Sequence, residues 1–172
     1  MKGLIIYETK GGATRTYAEW LSQETGFQAV PARKARRFDD YDMVIIGSCV
    51  RMYKPTLSKW IVRKWPLLSR KKTVLFTVAG ASSTDLRRDE WVRNSIGEIA
   101  NKLPHFALDG KMKFDDLSWF ERALMKFAIR MTAKSNPEEA RRMGLDYDLV
   151  KRERLEPLRG WLLGFGVALK RD

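Results

Sequence analysis

Apolar residues in this chain come in short unbroken runs, and between them lie segments where they recur every three or four positions. Residues 3–7, GLIIY, form a continuous apolar run, as a strand buried on both faces should. Residues 14–23 follow with helical spacing, and Gly26 ends them. Residues 27–30 read as a weaker second strand. Residues 43–47, MVIIG, read as a third, rich in β-branched side chains and bounded by Asp42 and Gly47. The pattern then predicts a helix over 56–65 stopped by Pro66 and a strand over 72–78, KTVLFTV, ending at Ala79-Gly80. A helix over 88–103 stopped by Pro104 and a fifth strand over 106–108 follow. This βαβ rhythm predicts a parallel sheet covered by helices on both faces, with right-handed crossovers. In such sheets a ligand sits beyond the carboxyl ends of the strands, where the winding reverses.

After the fifth strand the rhythm changes. Residues 116–134 carry Leu117, Phe120, Leu124, Phe127, Ala128 and Met131 on one helical stripe, while Arg122, Lys126 and Arg130 make a basic row at spacing four. Residues 135–139, SNPEE, read as a cap with proline in the first turn and acids favouring a helix start. The tail over 146–170 is helix-like in parts, interrupted by Pro157, Gly160, Gly164 and Gly166. The stripe over 117–131 packs on the sheet or on a partner subunit, or else lies in a membrane interface. In the second case Trp119 and Phe120 enter the headgroup boundary and the basic row meets anionic lipid.

Length and composition narrow the class. The 172 residues suit one domain, 1–172, with residues 111–135 as a basic, aromatic-rich helical segment within it. With 44% hydrophobic and 31% charged residues the chain has enough apolar surface to fold. The single cysteine, Cys49, excludes an internal disulfide and a multi-cysteine metal site, and favours a reducing, cytoplasmic setting. Residues 1–7 do not have the make-up of a secretory signal, and no apolar stretch approaches the roughly 20 residues of a spanning helix. A formal charge of +12 biases the protein toward anionic partners. The charge alone fits nucleic acid, anionic lipid, an acidic redox protein or a carboxylated substrate equally well.

Three loops fall at one edge of the expected sheet: ETKGGAT, SCVRMYKPT and AGASSTD. The first has the parts of a phosphate cradle. Gly11 and Gly12 clear the way to the free N–H groups and positive dipole end of a helix start, and Thr9 and Thr14 add hydroxyl donors. It lacks both the GxxxxGK[ST] and the GxGxxG patterns, and a glycine-bearing turn taken alone is more often only a turn.

YETKGGATR after a first strand, MVIIGSCVRMYK near position 50 and LFTVAGASS near position 80 together resemble the flavodoxin family. The resemblance implies a three-layer α/β/α sandwich with a five-stranded parallel sheet, order 2-1-3-4-5, plus a helical insertion and a C-terminal helix. It also implies flavin mononucleotide (FMN) as cofactor. Carried over, Thr9, Lys10, Gly11, Gly12, Ala13 and Thr14 hold the phosphate. Ser48, Cys49, Val50, Arg51, Met52 and Tyr53, with Ala79, Gly80, Ala81, Ser82 and Ser83, lie along the ring. IIGSCVRMY followed by ALDGKMKFDDLSWFERALMKFAIRMTAK looks like the protoporphyrinogen dehydrogenase branch of that superfamily, short FMN proteins that pass electrons to a quinone. On that resemblance Arg51 and Tyr53 are the protein's candidates beside the flavin, and Lys54, Arg122 and Arg130 meet the carboxylates of an anionic substrate. The expected partners are a quinone or redox-protein acceptor, an anionic small molecule and the inner face of the cell membrane, with a homodimer as a further contact. No motif for nucleic acid accompanies the charge.

The family pattern is not met everywhere. Glu8 and Lys10 stand where small or hydroxyl residues are usual, and residues 48–53 contain no glycine. In flavodoxins a glycine there lets a carbonyl flip toward reduced flavin. Among the remaining residues, free Cys49 reads as a small buried hydrophobe, the lone His105 as structural or exposed, and the six tryptophans as mostly packed. Besides the redox enzyme, two other classes fit: a flavodoxin that only carries electrons, and a basic module of this fold without flavin.

Overall fold

Strand β1 (Gly3–Glu8) is an interior strand of the sheet, as its two apolar faces require. It pairs in parallel with β2 (Gln28–Pro31) on one side and with β3 (Met43–Arg51) on the other. The computed structural model describes residues 1–35, 38–80 and 87–170, without the side chains of Glu139 and Arg142. The chain divides into two units, Met1–Gly110 with Val150–Asp172, and Lys111–Leu149.

In the first unit, β4 (Lys54–Pro55) folds back antiparallel on β3, and β5 (Lys72–Ala79) and β6 (His105–Asp109) extend the sheet in parallel. The order β2-β1-β3-β5-β6 is the expected 2-1-3-4-5 winding. The strand count differs, six rather than five, because β4 was not foreseen. Strand β3 also runs past Gly47, where the pattern had ended it. Ser48 is fully buried, but its hydroxyl accepts from Leu57 N at 3.1 Å and donates to Cys49 O at 3.2 Å, so burial leaves it satisfied.

Helices α1 (Ala13–Thr25), α2 (Ser58–Leu68) and α3 (Arg87–Ile96) connect these strands. Helix α2 continues two residues beyond Pro66 instead of stopping there. The carbonyl that the proline deprives of its helical donor belongs to Val62, an exposed residue that water can serve. The helix expected over 88–103 ends early: Gly97 turns left-handed at φ 58°, and a 3-10 turn over Gly97–Asn101 completes the connection.

The second unit contains β7 (Lys111–Met112), α4 (Trp119–Thr132), α5 (Pro137–Met143) and β8 (Tyr147–Asp148). Strands β7 and β8 pair antiparallel. A reciprocal cap opens α4: Ser118 Oγ accepts from Glu121 N at 3.3 Å, and Glu121 accepts from Ser118 N at 3.0 Å. Pro137 is the first residue of α5, as the cap-like run predicts. The chain then returns to the first unit for α6 (Glu156–Gly164).

The period-two alternation of the strands builds two cores. Ile5, Tyr7, Met43, Ile45, Val74, Phe76 and Val78 meet Tyr17 and Leu21 of α1 and Leu158 and Leu162 of α6. Leu4, Ile6, Val44, Ile46 and Leu75 meet Ile61 and Leu68 of α2 and Val92 and Ile96 of α3. Both faces are thus covered, which is why the strands read as unbroken apolar runs. Gly47 is required by this packing, since a Cβ there would lie 2.4 Å from the Phe76 ring. The C-terminal segment is fastened to α1 through Glu24, which is 5% exposed. Its carboxylate accepts from Arg152 Nε at 2.9 Å and Arg159 Nε at 2.8 Å, and its carbonyl accepts from Lys170 N at 2.8 Å. Among the described residues, no helix is long and apolar enough to cross a membrane.

Candidate functional site

Parallel pairing fixes where the three loops go. Tyr7 is in register with Gly47, Cys49 with Val78, and Ala79 with Asp109, so residues 9–12, the turn after β3 and Gly80 all leave the same edge of the sheet.

In the first loop Gly12 caps α1 with φ 84°, a backbone that side-chain-bearing residues rarely adopt, and no side chain caps the helix start. Lys10 and Gly11 are exposed at the lip, while Ala13 and Thr14 are buried beneath it. The Oγ1 atoms of Thr9 and Thr14 are both buried, and neither has a hydrogen-bond partner among the described residues. A buried hydroxyl left so costs about 1–3 kcal/mol. Two of them beside the uncapped N–H groups of a thirteen-residue helix form a donor set that suits an anion with several oxygens. The chemistry of the loop is thus that of an anion cradle on the ground of two hydroxyls without a partner among the described residues, beyond the glycines of the loop.

The second loop begins buried and ends exposed. The Cys49 thiol lies 3.4 Å from Thr56 Oγ1, and burial pushes its pKa up, so it is a neutral packed thiol. Val50 and Arg51 are half-buried. Met52 and Tyr53 then make the two-residue turn between β3 and β4 with φ 47° and 62°, both left-handed without being glycine. Such a turn prefers Asn-Gly, and each bulky residue there costs on the order of 1–2 kcal/mol. Strain of this kind persists where the surroundings hold it, often at a ligand site. Tyr53, expected to stack in this loop, is 69% exposed and sits with its ring centroid 5.1 Å from that of Trp91 on α3. The edge therefore presents an aromatic pair of which only one member was singled out from the sequence.

In the third loop Ala79 is buried and Gly80 exposed; Ala81, Ser82 and Ser83 lie outside the described residues. Arg88 was missed entirely, because an arginine in the run RRDE reads as solvated. It is 1% exposed, donating to Leu108 O at 3.0 Å and Thr77 O at 2.9 Å, and so ties the carboxyl ends of β5 and β6 together. Asp109 was missed too: it is 2% exposed and pairs with Arg154 at 2.9 Å, while its carbonyl accepts from Tyr17 OH.

His105 has the structural role expected of it. Its Nδ1 lies 2.7 Å from Asp89 Oδ1 and its Nε2 2.8 Å from Thr77 Oγ1, an acid–imidazole–hydroxyl chain. Thr77 is 1% exposed, so no substrate reaches that hydroxyl. Burial lowers the imidazole pKa against the opposing pull of Asp89. Among the described residues no group of three or more His, Cys, Asp or Glu side chains is placed to hold a metal ion.

Of the substrate candidates, Lys54 is exposed in β4 at this edge. Arg122 and Arg130 belong to the second unit. There Arg122 donates to Asp115 O at 3.3 Å and Arg130 is exposed. No residue of α4 is buried; Trp119 is 82% and Phe127 62% exposed.

A family model described as "Flavodoxin domain" matches residues 4–138. The chain is similar to "Protoporphyrinogen IX dehydrogenase [quinone]" of Escherichia coli strain K12, 23% identical over 146 residues that cover 77% of this chain and 81% of that protein. Among solved structures it is similar to the "flavodoxin, WrbA-like protein" from Agrobacterium tumefaciens, with TM-score 0.43 and 15% identity over 75% of this chain and 98% of the other. It is also similar to the Trp repressor binding protein from Bacillus subtilis, with TM-score 0.43 and 15% identity over 63% and 83%.

Proposed function

Because the chain belongs to the flavodoxin domain family, we propose that it binds FMN and works as an oxidoreductase of the protoporphyrinogen dehydrogenase type, passing electrons from an anionic small molecule to a quinone. The observation that carries the cofactor assignment is the pair of orphaned hydroxyls, Thr9 and Thr14, under the left-handed Gly12. They would hold the phosphate together with the α1 N–H groups. Arg51, Met52 and Tyr53 would border the ring on the strained turn, with Trp91 behind Tyr53. When bound, FMN supplies the redox chemistry, accepting electrons in pairs or singly. The side chains of this unit do the rest. Lys10 lies at the phosphate end, Arg51 places a positive charge near the ring that favours an anionic reduced cofactor, and Lys54 offers an exposed cation to a substrate carboxylate.

The direct test is anaerobic mixing of FMN-loaded protein with protoporphyrinogen and menadione, followed by the flavin spectrum. Bleaching on the first addition and recovery on the second support the reading; an unchanged spectrum removes that substrate. An electron carrier is the second reading, and the absence of glycine from residues 48–53 weighs against it. A redox titration in which a one-electron reduced flavin accumulates would favour the carrier.

A quinone acceptor dissolves in lipid, and α4 supplies a means of reaching it. Its apolar stripe of Phe120, Leu124, Phe127 and Met131 is open, and Arg122, Lys126 and Arg130 follow at spacing four. This is the composition of a helix that lies in an anionic interface. Flotation with phosphatidylglycerol vesicles tests it, and a protein that stays at the bottom of the gradient would refute it.

A further inference from the structure

A second concave site lies in the first unit, and none of the residues assigned above to FMN or to substrate lines it. This cavity of about 640 Å³ opens between the carboxyl end of β1, the 3-10 turn after β2 and the first turns of α2. Its walls bring together Arg33 from the turn and Lys59, Arg63 and Lys64 from α2, with one acid, Glu8, and the indole of Trp60. Lys59, Trp60, Arg63 and Lys64 stand at helical spacings of one and four, so a single face of α2 carries three cations around one aromatic ring. Trp60 is half-buried and held by Phe38, whose ring centroid is 5.9 Å away.

Like charges four residues apart destabilise a helix, and chains offset this with acids at neighbouring positions. Here no such acid is present. Among the described residues, no salt bridge or hydrogen bond engages Arg33, Lys59, Arg63 or Lys64. Among the described residues, four cations against one carboxylate give the lining a formal charge of +3. Arginine forks match the paired oxygens of phosphates, and an indole face accepts a planar ring. The volume falls in the range of small-molecule sites.

We propose that this cavity binds a nucleoside diphosphate group, with the two phosphates among Arg33, Lys59, Arg63 and Lys64 and the base against Trp60. A terminal diphosphate carries nearly the −3 charge that balances the walls and the bridging diphosphate of a dinucleotide carries −2, whereas a single carboxylate carries only −1. The same group occurs free, as in ADP, or as half of a dinucleotide such as NADH. The site does not depend on the flavin reading, since it uses neither Thr9 nor Thr14.

Isothermal titration calorimetry at low salt tests it with the full chain. One ADP per chain should bind, inorganic pyrophosphate should compete, and adenosine should not bind. Lys59 and Arg63 are exposed, so Lys59→Glu and Arg63→Glu leave the core intact, and each should weaken ADP about tenfold or more. FMN uptake in these variants should match the parent, and Thr14→Val should leave ADP binding unchanged. NADH tighter than ADP would assign the dinucleotide source, and the reverse order the free nucleotide. The proposal is overturned if ADP does not bind or if charge reversal leaves its affinity unaltered. It is equally overturned if a benzene polycarboxylate binds as well as ADP, or if Thr14→Val abolishes binding, which would put the phosphates on the first loop.

Discussion

Replacing Thr14 by valine should move two measurements in opposite directions. The hydroxyl is 1% exposed as part of its residue and has no partner among the described residues, so in the protein without ligand it contributes only its desolvation cost. Valine keeps the branched shape and removes that cost, about 1–3 kcal/mol for a buried hydroxyl. Its N–H and place in the second position of α1 are unchanged. The ligand-free variant should therefore be at least as stable as the parent in urea, with a midpoint equal or higher. With FMN the balance reverses. A hydrogen bond to a charged phosphate contributes about 1.5–3 kcal/mol, so losing it should raise the dissociation constant roughly 10- to 150-fold. Flavin fluorescence titration of both proteins reads the affinity directly. If the variant is destabilised while its FMN affinity is unaltered, the hydroxyl is a structural group and the phosphate assignment fails. Thr9→Val should behave in the same way, and the two effects should be less than additive if both hydroxyls meet one phosphate.

Three further outcomes follow from the packing of the first unit. Glu24→Ala removes the buried carboxylate shared by Arg152 and Arg159, leaving Arg159 with Glu156 and Arg152 with Gln23, and should cost about 2 kcal/mol in urea unfolding; a loss under about 0.5 kcal/mol would show that the shared carboxylate contributes little. Burial holds the folded-state pKa of His105 below its ordinary 6.5, so the unfolded chain takes the proton first as pH falls. The stability that neutral His105 contributes is present above about pH 6.5 and is lost as pH falls toward the depressed value, so His105→Asn should flatten the drop between neutral and mildly acid pH. With a single histidine in the chain, an NMR imidazole titration at or above 6.5 would refute this. Met52→Asn places a residue tolerant of left-handed backbone at φ 47° and should raise the urea midpoint by an amount worth about 0.5–1 kcal/mol; a fall would show that the Met52 side chain, not its backbone, matters.

Much of this protein is written in local pattern. The apolar runs at β1, β3 and β5 pointed to a parallel sheet, because strands covered on both faces must be apolar throughout, while its order came from the family resemblance. Gly11, Gly12, Thr9 and Thr14 supplied the parts of an anion loop, since backbone permissiveness and hydroxyl donors are properties of residue type, but taken alone they read more often as a plain turn. Tertiary structure alone decided the rest. That the two hydroxyls are buried and have no partner among the described residues depends on what packs over them. That Arg88 lies inside the sheet edge depends on carbonyls of Thr77 and Leu108, more than ten residues away in sequence. The cationic cavity likewise draws Arg33 and the α2 cations from separate segments, so its charge is a property of the folded arrangement. Sequence spacing encodes which face of an element a residue occupies, whereas partners, burial and the field inside a cavity arise only when elements distant along the chain are brought together.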